Sequence, residues 1–309
     1  MTRTREDGKE EVFSACIKPD DARYLGGNKN SSVNAIKLQG RPRTGINYDK
    51  ANEFCANRGD WITMIDYLEY CALQALCYIE YANFDNQAAL NTNLTSDGFK
   101  QGGLGAGVTN LNWERWTAFN GNNPIVQTYW TAEHNIGNGS TNGDHYELGN
   151  YNADGSNLST YPAIYRGILN FFGDIWTFIR DVVIINKDKD YNYVYILKKG
   201  VNHADVTKDN VNEKCYLIGY QANTNNFITE FDFQRGVYFI PNKVGSNKKA
   251  DYNWKRGNDG QDTDKAARVL LLGGRAHYGS AAGSGSFRSD WVRSVSLADV
   301  GFFTTVKLD

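Results

Sequence analysis

A cation, a carboxylate, an imidazole and several aromatic rings stand close together near the C-terminus of this chain. They lie within GGRAHYGSAAGSGSFRSDWVRSVSLADVGFF, residues 273–303, as His277, Tyr278, Phe287, Arg288, Asp290, Trp291 and Arg293. Their spacing has neither the period of a helix nor that of a strand, and the residues between them are Gly, Ser and Ala. Small residues let a backbone turn where β-carbons would forbid it. Side chains on such a frame need not serve a core, so they are open to recognition of a partner. The competing reading is plain packing of Phe287 and Trp291 beneath a long loop.

Bond-making chemistry has less support. His134, His145, His203 and His277 are widely scattered, and neither HExxH nor HxH occurs. GxSxG nucleophile signatures are also lacking. Asp66 and Glu69 read as capping or solvated groups rather than a catalytic pair. GGLGAGV at 102–108 has no P-loop Lys-Ser/Thr and reads as a turn. NGSTNGDH at 138–145 is oxygen-rich but is not an EF-hand, and it too reads as a turn. Cys16, Cys55, Cys71, Cys77 and Cys215 are odd in number and have no CxxC spacing, so buried free thiols are expected, with no zinc site. No cofactor is implied.

Composition narrows the partners. A net charge of −2 with mixed signs excludes the basic stripe of a nucleic-acid binder. No apolar run approaches the roughly 20 residues of a membrane span. MTRTREDGKEE lacks the apolar core of a signal peptide, so either the chain acts without Sec export or its natural start lies elsewhere. With 19 Tyr and 7 Trp, the chain is rich in the side chains that give loops large amphipathic contact area.

The elements that must position the C-terminal run are legible in part. Residues 1–40 read as an N-terminal arm with one or two strands. Asn47 caps a first helix whose apolar face is Ala51, Phe54 and Cys55, ended by Gly59. Thr63 with Asp66 resembles a capping box opening a second helix, with Ile65, Leu68, Ala72, Ala75, Leu76 and Ile79 at helical spacing. Cys71 and Cys77, on that helix, do not face each other. Residues 83–161 read as long inserted loops. DVVII, YVYIL, CYLIGY, VYFIP, RVLLL and VGFFTTV then read as mainly antiparallel strands, and 243–265 as an exposed polar insertion.

Three stretches together resemble a family. RGDWITMIDYLEYCALQAL is similar to the second-helix segment of the formylglycine-generating-enzyme-like branch of the C-type lectin fold. YRGILNFFGDIWTF at 165–178 resembles that branch's central motif, where Asn and Gly lead into an aliphatic-Trp pair. The C-terminal run resembles the end of the variable proteins of diversity-generating retroelements, phage and bacterial ligand-binding proteins of the same fold. The resemblance covers residues 41–309. It departs from the enzyme branch in having no cysteine after Cys215, from true C-type lectins in lacking Glu-Pro-Asn and Trp-Asn-Asp, and from the usual Gly-Phe-Arg or Gly-x-Arg ending in having Gly301-Phe302-Phe303.

The resemblance implies an α+β fold of the C-type lectin type, two helices beside a small mainly antiparallel sheet, in one domain after the N-terminal arm. It implies a binding protein rather than an enzyme, the alternatives being a structural tail protein without variable binding and an oxidase-like enzyme of the same fold, which the lack of a late cysteine pair disfavours. The partner would be a host-cell surface protein or glycan, met by a phage tail in the virion or by a bacterial cell surface. Other tail proteins are further partners, and nucleic acid and membrane insertion are not. The ligand face is expected at Ala276, His277, Tyr278, Ser280, Ser286, Arg288, Asp290, Trp291 and Arg293. Tyr278 and Trp291 would anchor, and His277, Arg288, Asp290 and Arg293 would set polar specificity. Ile168, Ile175, Trp176 and Phe178 are expected in the core.

Overall fold

A computed structural model of the chain describes residues 2–12, 27–28, 43–85, 146–148, 158–160, 164–166, 168–169, 171–173, 175–187, 190–233, 236–246, 251–255, 267–275, 278, 281–297 and 299–306. Along it run β1 (Thr2–Thr4), β2 (Glu10–Val12), β3 (Gly27–Asn28) and β4 (Arg43–Thr44), then α1 (Tyr48–Arg58), β5 (Ile62–Met64) and α2 (Tyr67–Tyr81). Short strands β6 (Tyr146–Leu148), β7 (Leu158–Thr160), β8 (Ile164–Tyr165) and β9 (Ile168–Leu169) follow. Next come β10 (Trp176–Asn186), β11 (Tyr191–Leu197), a short helix α3 (Val211–Lys214), β12 (Cys215–Ala222), β13 (Asn226–Asp232) and β14 (Ile240–Gly245). The last are β15 (Tyr252–Trp254), β16 (Arg268–Leu272), β17 (Phe287–Arg288), β18 (Val300–Gly301) and β19 (Thr304–Val306). The fold is α+β, with strands dominating.

One sheet of nine strands organises the described residues, in the order β12-β11-β10-β16-β17-β15-β13-β14 with β18 added beside β10. Its pairs are antiparallel except β15–β17 and β10–β18. β12 and β14, the ends of that order, lie against one another, so the sheet curls. Strand β10 is buried on both faces, as its continuous apolar sequence requires of a central strand. In β16 the faces alternate: Val269 and Leu271 join Trp176, Phe178 and Phe54 under α1, while Leu270 and Leu272 join Tyr67, Tyr70 and Phe287 under α2.

The two long helices, α1 and α2, each start on a side-chain cap. Asn47 Oδ1 accepts from Lys50 N at 2.9 Å, and Gly59 ends α1 as expected. The second cap differs from the expected one. Thr63 lies in β5, opposite Thr305 of β19, and an extended residue in a ladder is not free to cap. The cap is Asp66, in a reciprocal box with Glu69: Glu69 N donates to Asp66 Oδ1 at 2.9 Å, and Asp66 N donates to Glu69 Oε2 at 3.0 Å.

The inward face of α2 is also not the one its hydrophobicity indicates. Tyr67, Tyr70, Cys71, Gln74, Cys77 and Tyr78 are buried, while Leu68, Leu76 and Ile79 are exposed. A buried tyrosine needs an acceptor for its hydroxyl, and each ring on this face has one. Tyr67 donates to Phe239 O at 2.7 Å, Tyr70 to Ser284 O at 3.0 Å and Tyr78 to Asp251 Oδ2 at 3.1 Å. These bonds tie the helix to loops remote in sequence, which no local period can announce.

Three further expectations change. The stretch 243–265 is not wholly an exposed insertion, since β15 lies inside the sheet between β17 and β13. Its Asn253 is fully buried in a chain of amides. Asn186 Nδ2 donates to Asn192 Oδ1 at 2.8 Å, Asn192 Nδ2 to Gln221 Oε1 at 3.2 Å, and Gln221 Nε2 to Asn253 Oδ1 at 2.6 Å. Asn253 Nδ2 ends the chain on Ala222 O at 2.8 Å and Thr224 O at 2.9 Å. Because every member is satisfied, polar sequence can occupy a core position. In VYFIP the strand begins only at Ile240, and VGFFTTV divides into β18 and β19. The hairpin β1–β2 packs on α1 with Val12 in the core and Arg58 Nη1 3.1 Å from Glu11 Oε1, so residues 2–12 belong to this body.

Of the four residues expected in the core here, Trp176 and Phe178 are fully buried and Ile175 nearly so, whereas Ile168 is only partly buried and packs at the edge. Gly301 has no room for a β-carbon, which would lie 2.6 Å from Ile175 Cδ1 and 2.9 Å from Arg43 O. Phe302 and Phe303 pack on the two core clusters, and Ile65 N donates to Phe303 O at 3.0 Å.

Candidate functional site

Parallel pairing of β15 with β17 puts Trp254 beside Arg288, and antiparallel pairing of β16 with β17 puts Leu271 on the other side. The three share a face, the one that covers the α1 side of the core. Trp176, fully buried, is the floor. Trp254 meets it edge-on, centroids 5.0 Å apart at 87°. Tyr278 stacks on Trp254 at 4.9 Å and 20°. Two guanidiniums close the array. Arg275 lies 4.2 Å from the Tyr278 ring centre, and Arg288 lies 3.8 Å from that of Trp291. Both distances are well inside the range for cation–π attraction.

Each of these cations also has an anion. Arg288 forks onto Asp290, Nε to Oδ1 at 2.7 Å and Nη2 to Oδ2 at 2.9 Å, and its Nη1 donates to Tyr278 OH at 3.2 Å. Burial alone would lower the Arg288 pKa, but these bonds raise it above its ordinary value. Arg275 pairs with Asp299. The array is therefore held rigid before anything binds. A pre-ordered aromatic surface loses less side-chain freedom on association, and that strengthens binding.

The expected ligand face is brought together in part. Tyr278, Arg288, Asp290 and Trp291 converge in this half-buried array. Arg293 points instead to a neighbouring groove, where its Nη1 meets both Asp49 oxygens at 2.8 and 2.9 Å. That groove, about 880 Å³, also includes Asn52, Asp60, Arg180 and His203. Ser286 is not on the face. It is fully buried, and its Oγ accepts from Gly283 N at 2.9 Å while donating to Ala281 O at 2.7 Å. A hydroxyl committed to its own turn cannot meet a ligand, and this is the structural correction to that residue. Ala276, His277 and Ser280 lie outside the described residues, as do the turns at 102–108 and 138–145.

The small-residue frame is itself core. Ala282, Ser284, Ser286 and Ser289 are fully buried. Gly274 has φ +74°, and a β-carbon there would sit 2.6 Å from Ala282 Cα, so both conformation and space demand glycine. Two members of the array were not anticipated. Arg275 stood in the same run without a distinguishing neighbour. Trp254 was hidden in a polar stretch, where the alternation Tyr-Asn-Trp at 252–254 was the available signal.

Cys55, Cys71, Cys77 and Cys215 are buried and in no disulfide, and burial pushes Cys55 and Cys71 up to about 12 and Cys215 up to about 11, far from a reactive thiolate. Among the described residues, no three His, Cys, Asp or Glu side chains gather as a metal-binding group, and no helix is long and apolar enough to cross a membrane. No protein-family model matches the chain, and no curated protein matches its sequence.

Proposed function

We propose that this chain is a ligand-binding protein of the C-type lectin type, a variable protein diversified by a retroelement, and that it serves as a host-receptor-binding component of a phage tail. One observation carries the reading: the C-terminal run holds Tyr278, Arg288, Asp290 and Trp291 partly exposed and mutually braced on a frame of fully buried small residues. A fully buried frame beneath side chains that keep an exposed edge allows substitution of the contacts at less cost to the fold than substitution of the frame. Two long helices beside a curled, mainly antiparallel sheet, and the buried positions of Ile175, Trp176 and Phe178, are in keeping with that fold type. The partner is a surface protein or glycan, with Tyr278 and Trp291 as anchors and no catalytic step.

The test is binding of the labelled intact chain to a panel of bacterial cells, followed by Tyr278→Ala, Trp291→Ala and Arg288→Ala with circular dichroism as the folding control. Each anchor substitution should weaken binding about thirtyfold or more, equivalent to the loss of about 2 kcal/mol that marks a dominant contact. Unchanged binding in both aromatic variants would remove the site. Antibody labelling of virions and of cells separates a tail protein from a surface adhesin. An imperfect DNA copy of the 273–303 coding segment, differing at adenines, is expected nearby.

A further inference from the structure

A cavity of about 620 Å³ opens where the C-terminal end of α2 meets β13, sharing no residue with the array around Trp254. Its volume is within the range of small-molecule sites. The walls are aromatic: Tyr78 from the buried face of α2, Phe84 just past that helix, and Phe231 and Phe233 at the end of β13. Tyr78 stands 4.9 Å from Phe84 and 6.3 Å from Phe231, centre to centre. Phe84 and Phe233 are 61% and 47% exposed, so apolar rings line the mouth where only a partner would dry them.

Every charged side chain among the described lining residues is acidic: Asp85, Glu230 and Asp251. Glu230, at the exposed edge, is engaged by Lys243 at 2.6 Å. Asp251 is deep, only 2% exposed, and sits at φ +72°, a conformation uncommon for residues other than glycine. Its oxygens accept from Tyr78 OH and from Gly285 N, both at 3.1 Å. These donors orient the carboxylate but carry no charge to balance it. A β-carbon on Gly285 would lie 2.7 Å from both Asp251 Oδ2 and Tyr78 OH, so the glycine keeps the space this carboxylate occupies. Burial, with the nearby charge of Asp85, raises the Asp251 pKa to about 7, the response of an acid that lacks a counter-charge.

We propose that this cavity binds an organic cation of the alkylammonium class, its N-alkyl groups against Tyr78, Phe84, Phe231 and Phe233 and its charge facing Asp85 and Asp251. Ring faces carry the negative part of an aromatic quadrupole and attract a bulky cation. A bare metal ion would want several oxygen ligands, which aromatic walls do not supply. An anion would be repelled by the carboxylates. A neutral molecule of the same shape would gain the walls and leave the carboxylate unbalanced.

Calorimetry on the intact chain with choline, and with its neutral isostere 3,3-dimethylbutanol, tests the assignment. Choline should bind at least tenfold more tightly than the isostere. Asp251→Asn and Phe233→Ala should each weaken choline at least tenfold. Asparagine keeps the shape and tolerates a left-handed backbone; should that variant nonetheless unfold, Phe84→Ala and Phe233→Ala, at exposed rings, decide the matter. Choline, a trimethyllysine peptide and phosphatidylcholine vesicles should compete for the one site, the tightest identifying a free solute, a protein side chain or a lipid headgroup as the source. Equal binding of the isostere, indifference to both ring variants, or failure of all three cations would overturn the proposal.

Discussion

Around Trp254 and at the end of α2 the chain uses the same ingredients, aromatic rings with charges, and arranges them oppositely. In the first region each guanidinium lies on a ring and is also paired with a carboxylate: Arg288 with Asp290, Arg275 with Asp299. In the second, a buried carboxylate is held by a phenol and a peptide N–H, and Phe84 and Phe233 at the mouth are wet. Balanced charge produces a firm, nearly neutral surface, the one proposed above to meet a large partner. Unbalanced charge in a concave wall produces a receptacle for something small and positive. The difference lies in which partner the fold leaves out.

The floor of the first region offers the largest test. Trp176→Ala should empty a large aromatic site and cost about 3–5 kcal/mol, read by denaturant unfolding. A variant of unchanged stability would show that the array does not rest on this ring, and the contrast between a braced surface and a hollow one would fail.

In the second region the sign of a pH effect is the sharper measure. The carboxyl of Asp251 is raised from its ordinary 3.8 to about 7. The stability it contributes is therefore fully present below about pH 4 and lost as pH rises through 7. Asparagine does not titrate, so Asp251→Asn should gain on the natural chain across that window. The relative gain should be about 1–2 kcal/mol, since one pKa unit is worth about 1.4 kcal/mol and relaxation of a buried site recovers part of it. Parallel unfolding curves for the two proteins from pH 4 to pH 8 would show instead that the charge is already balanced.

The smallest effect belongs to the pair at the border of the first region. Arg293 and Asp49 are 40% and 48% exposed, so a double-mutant cycle should give about 0.2–1 kcal/mol, shrinking with salt. A coupling of several kcal/mol would extend the braced surface into the neighbouring groove, and Arg293 would rejoin Arg288 as one site.

Local rules determined much of this protein from sequence alone. Asn47 and Gly59 bound α1 because the groups they satisfy are within a turn of them. RVLLL is β16 and DVVII lies in β10 because apolar runs of that length fit strands buried on both faces. Tyr278, Arg288, Asp290 and Trp291 were legible as a group because they share one glycine-rich run. Tertiary structure decided what depends on distant partners. It turned the tyrosines of α2 inward and left Leu68, Leu76 and Ile79 outside, because Phe239, Ser284 and Asp251 supply acceptors that hydrophobicity does not count. It drew Tyr252–Trp254 out of a polar stretch into the sheet, because Gln221 and Ala222 satisfy the Asn253 amide. It placed Ser286 in a turn and Arg293 on Asp49, and it set Asp251 against the rings at the end of α2. Hydrogen bonds and charges take their worth from whatever the fold brings beside them, and sequence spacing carries that information only when the partner is near along the chain.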